Sequence, residues 1–167
     1  MSRVPWRRER AVPVPDDVGL ARGERVLATA RAGEATVVIT SHRILVPGET
    51  DEGRAWHLVD RGRWDPETDT LSVTWVDRAP EGRWVLTEAG QVPDAFHERV
   101  QASIVLVEEV VLDRARRARV VLRKDLATGR ILAQTIVGTR CDPDDAELVA
   151  ATEAAAARLA EQVGREP

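Results

Sequence analysis

Ala35–Val46, read Ala-Thr-Val-Val-Ile-Thr-Ser-His-Arg-Ile-Leu-Val, limits the folds open to this chain more than any other stretch. Two β-branched runs, Thr36–Thr40 and Arg43–Val46, flank a hinge at Ser41-His42. β-Branched side chains are stiff at χ1 and fit a pleated sheet better than a helix. Two such runs this close together predict paired strands, and later segments read most simply as strands laid out from them.

A first strand over Arg25–Arg31 precedes them, with Gly33 supplying the positive φ of a tight hairpin at Ala32–Ala35. Pro47-Gly48 ends the Arg43–Val46 strand, Glu49–Gly53 reads as a polar loop, and Arg54–Val59 as a fourth strand leading through Asp60–Arg63 to Trp64. Asp65–Asp69 is a turn by composition, Pro66 presetting φ at its second position. Over Thr70–Val76 the alternation of Leu71, Val73 and Trp75 with Ser72 and Thr74 predicts a half-buried strand. Pro80–Gly82 turns the chain into Arg83–Thr87.

The pattern changes at Gln91. Pro93-Asp94 opens a short helix over 94–102, with Phe96 and Val100 on one face. Ser103–Leu112, Arg116–Lys124 and Arg130–Val137 then predict an antiparallel meander, the last two pairing across Ala127–Gly129. At the end, Asp142 suits an N-cap and Pro143 the first helical position. Leu148, Thr152, Ala155, Leu159 and Val163 make an apolar stripe, and Gly164 can stop the helix. The expected fold class is α+β: mostly antiparallel sheet or a partly open barrel, a short inserted helix, and a long amphipathic C-terminal helix covering a sheet or barrel mouth. Residues 1–22, broken by Pro5, Pro13 and Pro15 and charged by Arg7, Arg8 and Arg10, read as a lead-in. Residues 23–163 read as one domain and 164–167 as a tail.

Composition narrows the function. With 43% hydrophobic and 31% charged residues the chain can bury a core, and its net charge of −4 argues against a dedicated nucleic-acid binder. Lys124 is the only lysine among many arginines, and Asn and Tyr are absent. The scarce types have AT-rich codons, which implies a high-GC genome such as an actinobacterial one. Arginine number here reports mutational bias before it reports a ligand. Cys141 stands alone, which excludes an internal disulfide and a four-cysteine zinc site. No signal-peptide core is present and no apolar run approaches the roughly 18 residues of a membrane span, so a cytoplasmic location is expected. The basic N-terminus with Trp6 would also let the chain lie peripherally on an anionic membrane.

No catalytic, metal or cofactor motif stands out. His42, His57 and His97 fall on separate elements without metal-ligand spacing. Asp65-x-Glu67-x-Asp69 alternates like a calcium loop but has Thr70 and Val76 where the loop's glycine and bidentate glutamate belong. Trp56, Trp64, Trp75 and Trp84 supply the large core side chains in a chain with one Phe. The most suggestive cluster is the arginine-rich stretch Arg114–Lys124. Arg116, Arg117, Arg119 and Arg123 are the candidate anion-binding residues, the last three sharing one strand face by period-two spacing. That face would hold phosphates, or be a solvated face neutralised by Glu108 and Glu109 on the adjoining strand.

Gly23-Glu24, a strand, a hairpin and then Val38–Leu45 with Thr40-x-x-Arg43 loosely resemble the opening of GRAM and bacterial PH-like domains, mainly over residues 23–87. The run Arg99–Val105 is similar to one in uncharacterised high-GC actinobacterial proteins. The resemblance implies a non-enzymatic binding or protein-interaction module, in some cases for lipid headgroups. Its partner is open: a protein, a second copy, or a weakly bound anionic lipid, with nucleic acid disfavoured by charge. The reading from another class is a small enzyme drawing acid and base from scattered residues such as His57 and Asp65.

Overall fold

The computed structural model describes residues 12–164 and is an α+β fold of three antiparallel sheets and two helices, with no closed barrel among those residues. The first sheet takes β1 (Val26–Ala32), β2 (Ala35–Thr40), β3 (Arg43–Val46) and β4 (Thr50–Ala55) in sequence order. A single 3-10 turn, Trp56–Leu58, carries the chain to the second, β5 (Val59–Asp65), β6 (Thr70–Trp75) and β7 (Gly82–Val85). Helix α1 (Val92–Ser103) runs directly into the third, β8 (Ile104–Val111), β9 (Arg117–Lys124) and β10 (Ile131–Val137), with β9 central. Helix α2 (Ala146–Gly164) closes the described chain.

Two cores form. The first two sheets and α1 enclose one, in which Val37, Ile39, Trp56, Leu71, Val73 and Phe96 are buried. A bridge between Arg31 and Thr87 joins these sheets at their margins, Thr87 N–H donating to Arg31 O at 2.8 Å. Trp56 fills the centre: its ring meets Phe96 edge-on at 5.7 Å, and its Nε1–H donates to Thr40 O at 3.0 Å. Trp75 and Trp84 are buried beside it and Trp64 packs half-buried, so the tryptophans act as core. The second core lies between β8–β9 and α2, where Ala118, Val120 and Leu122 meet Leu148, Ala155 and Leu159. The predicted stripe of α2 is the buried face.

Three boundaries differ from expectation. The fourth strand begins at Thr50 rather than Arg54 and breaks at the 3-10 turn, and Asp60–Arg63 is strand, not connection. The helix at Phe96 is longer at both ends than 94–102. The N-cap of α2 is Asp145, whose Oδ1 accepts from Glu147 N–H at 3.0 Å and Leu148 N–H at 2.9 Å. Asp142 instead closes a preceding turn, accepting from Asp144 N–H at 2.9 Å. Two aspartates three apart competed for one cap, and the one nearer the apolar stripe won. Of the lead-in, Met1–Ala11, and with it Trp6, lies outside the described residues. Its later part is tied down where Thr29 Oγ1 donates to Val12 O.

Gly62 shows how α1 is seated. It sits on the core side of β5, opposite Val73, and a Cβ there would lie 2.0 Å from Phe96 Cε1. Gly62→Ala is therefore expected to destabilise by about 1–3 kcal/mol, the usual cost of overpacking. Urea unfolding checks it: no change in midpoint would place the Phe96 ring elsewhere.

Candidate functional site

The predicted arginine stripe is divided among separate tasks. β9 alternates as expected, but its non-helical face does not meet solvent. It meets β5 and the 3-10 turn, across a polar seam between the two cores. Arg119 pairs there with Asp60 of β5. Arg123 is 1% exposed, donating to Val59 O at 2.6 Å and Ser103 Oγ at 2.8 Å. Burial pushes its guanidinium pKa down, Arg119 adds to that, and Asp60 opposes it. Arg116 is held by Asp113 at 2.7 Å and Glu147 at 2.6 Å, which raise its pKa. Of the four candidates, Arg117 alone is an exposed guanidinium without an ion pair among the described residues. Glu109 stands opposite Arg119 in register, whereas Glu108 pairs with Arg158 of α2.

Several other arginines without an ion pair lie nearby on other elements. Arg61 and Arg63 alternate along β5, and Arg83 of β7 stands across from Arg63 with Ser72 between them. All three arginines are exposed and form no ion pair among the described residues. They share the outer face of the second sheet with Thr70 and Thr74, around a shallow hollow of about 270 Å³. Arg61 and Thr74 also belong to a larger open cleft of about 730 Å³ between the second and third sheets. Trp75, Val76, Ile136 and Val137 give that cleft apolar walls, while Arg61, Arg78, Arg117 and Arg119 face Asp60 and Glu109. Since Asp60 is already taken by Arg119, three guanidiniums there stand against one carboxylate.

Arg78 reaches the cleft from a turn after β6 at φ 58°, its N–H donating to Trp75 O at 3.1 Å. A non-glycine residue held in the left-handed region costs on the order of 1 kcal/mol, and such strain collects at binding and functional sites. The volume falls within the range of small-molecule sites, and apolar walls with a few charged groups match their usual lining.

Arg61, Arg63, Arg78 and Arg83 stand outside the residues that the sequence singles out. The signal for the first two was period-two spacing, Arg61-Gly62-Arg63, concealed because the stretch resembles a connection. The histidines stay apart: His42 follows β2, His97 is on α1 and His57 is in the 3-10 turn. His57 Nδ1 lies 3.9 Å from Asp125 Oδ1, not near Asp65. Asp65 ends β5, six residues beyond Val59 and roughly 20 Å away along a strand, and its carboxylate closes a turn by accepting from Glu67 N–H at 3.0 Å. The acid and base of the enzyme reading are thus not brought together. Cys141 Sγ is occupied with backbone, donating to Ala115 O at 2.9 Å. Among the described residues no three His, Cys, Asp or Glu side chains gather as a metal site.

The residues carrying the resemblance do converge. Glu24 is buried, with Oε1 accepting from Thr40 Oγ1 at 2.6 Å and Arg43 Nε at 2.9 Å. Its Oε2 accepts from Arg43 Nη2 at 3.0 Å and Ala21 N–H at 2.8 Å. Burial raises the Glu24 pKa, but the hydrogen bonds from Arg43, Thr40 and Ala21 outweigh it and bring it down to about 2. Arg43 also donates to Gly19 O at 2.6 Å. Thr40 and Arg43 thus anchor the strand hinge to the lead-in.

No family model, curated protein or solved structure matches this chain.

Proposed function

We propose that the chain is a non-enzymatic binding module, PH-like in β1–β7, whose cleft between β5–β7 and β8–β10 takes an anionic ligand carrying an apolar group. One observation carries this reading: Arg61, Arg78 and Arg117, none of them in an ion pair among the described residues, line one apolar-walled cleft. The PH-like part draws support from antiparallel strands β1–β7 sharing one core with α1, and from Glu24, Thr40 and Arg43 forming one buried network. No helix among the described residues is long and apolar enough to cross a membrane, which accords with a cytoplasmic or peripheral protein.

Calorimetric titration with inorganic phosphate and with phenyl phosphate tests this. Phenyl phosphate is expected to bind saturably and more tightly than phosphate, because the apolar walls reward the ring. Removing one charged hydrogen-bond donor costs about 1.5–3 kcal/mol, so Arg78→Ala with Arg117→Ala should weaken binding by about a hundredfold or more. Equal binding by the double variant, or no saturable binding at low salt, would refute the assignment.

A second reading rests on the row Arg63–Ser72–Arg83, where three arginines line a shallow hollow with Asp65 and Glu81 and leave a net positive charge for an anionic lipid headgroup. It requires salt-sensitive sedimentation with phosphatidylserine vesicles that is lost in Arg63→Ala with Arg83→Ala and retained when only the cleft arginines are changed.

A further inference from the structure

We infer that β10 is the docking edge for a second copy of this chain, joining two three-stranded sheets into one six-stranded sheet about a two-fold axis at Gln134. This inference stands apart from the reading of the cleft. β10 is an outer strand of the third sheet, and among the described residues no backbone hydrogen bond reaches its free edge. Its seven residues, Ile131–Val137, include no charge, proline or glycine, and they pair with β9 in unbroken register.

The remaining sheet edges are defended. β4 carries Gly53 at φ 68° and its pairing with β3 is broken by a register shift. β5 carries Asp60, Arg61 and Arg63 and a register shift of its own. β7 is four residues long and holds Arg83. β8 has Glu108 and Glu109 and a shift between Ile104 and Leu106. β1 is engaged near its end by the bridge from Arg31 to Thr87. Charges, shortness and irregularity are the devices that keep sheet edges from pairing. Among the described strands, only β10 lacks them all.

The sequence of β10 selects a copy of itself as partner. In an antiparallel pair centred on Gln134, Ile131 faces the partner's Val137, Leu132 faces the partner's Ile136, and Ala133 faces the partner's Thr135. The two-fold repeats each pair, and no like charges are opposed. Cover is also needed on one face. α2 packs on β8 and β9, leaving Ile131, Ala133 and Thr135 exposed on that side, Ile131 at 42%. The second strand would lay the partner's Val137 beside Ile131. Ile136 and Val137 also wall the cleft, so the dimer would set two clefts near its axis.

Analytical ultracentrifugation over a dilution series tests the inference. The 18.4 kDa chain is expected to sediment at twice its mass and to dissociate on dilution. Ala133→Lys with Thr135→Lys opposes lysines across the axis and should give a folded monomer. Ala133→Lys with Thr135→Glu should restore the dimer, because each lysine then faces a glutamate. A monomer at every concentration, a lysine variant still dimeric, or growth beyond two copies would each overturn it. Amide hydrogen exchange on the unaltered protein is independent of how the variants fold. Protection that rises with protein concentration at β10 supports the edge, and equal protection at all concentrations overturns it.

Discussion

Arg43→Ala is expected to lower the unfolding free energy by about 3–5 kcal/mol, the cost of stranding one member of a buried ion pair. The pair is asymmetric: the Glu24 side chain is 0% exposed and that of Arg43 21%. Losing Arg43 leaves the more deeply buried charge without its two guanidinium donors. It also frees Gly19 O and loosens the lead-in. Glu24→Gln strands the partly exposed guanidinium instead, so its cost is expected to be smaller, about 1–3 kcal/mol. The order of the two variants in urea midpoint is the decisive reading. Glu24→Gln costing more than Arg43→Ala would contradict the burial asymmetry.

Acid offers a second check. Glu24 is depressed from 4.5 to about 2, so the folded state holds its proton less tightly than the unfolded chain. Its contribution, roughly 3 kcal/mol, is complete above pH 4.5 and is lost as the pH falls toward 2. Arg43→Ala removes the largest lowering influence, so the stability gap between the two proteins should narrow across that window. A gap independent of pH would mean that the ion pair is not the source of the loss.

Arg123→Ala is expected to cost a similar amount, about 3–5 kcal/mol, for a different reason. It empties the space of a long side chain at the seam and leaves Val59 O and Ser103 Oγ short of a donor. No carboxylate forms an ion pair with Arg123 among the described residues, and Arg119 repels it, so its charge contributes little. Arg123→Met refills the volume without the donors and should recover about half of the loss. If Arg123 were solvated, alanine there would change stability by no more than about 0.5 kcal/mol. Equilibrium denaturation of the three proteins separates these outcomes.

Where apolar period and local turn chemistry agree, the fold was legible. Ala35–Val46, the alternation over Thr70–Trp75, the meander and the stripe of α2 all stand where periodicity puts them. β5 was not legible, because its core-facing position at Gly62 is filled by Phe96 of a helix that arrives later in the chain. A strand whose apolar partner is supplied from elsewhere carries no alternation of its own. Arg123 failed for a related reason. Period two correctly placed it with Arg117 and Arg119 on one face, but which sheet covers that face is decided by tertiary packing. The candidate site was least legible, since it assembles Arg61, Arg78 and Arg117 from three separate stretches, none unusual alone.

The passage from α1 to β8 has no intervening loop: Ser103 ends the helix and Ile104 begins the strand. Ile104 N–H still donates to Gln101 O, so helical bonding persists to the first residue of the sheet. A joint of this kind places no linker residues between the two halves, and the seam contacts of Arg119, Arg123 and Gln134 brace the same pair of bodies. Both features hold the second and third sheets on either side of the cleft. For the ligand proposed above, this arrangement predicts selection by size and shape, with no closing step on association.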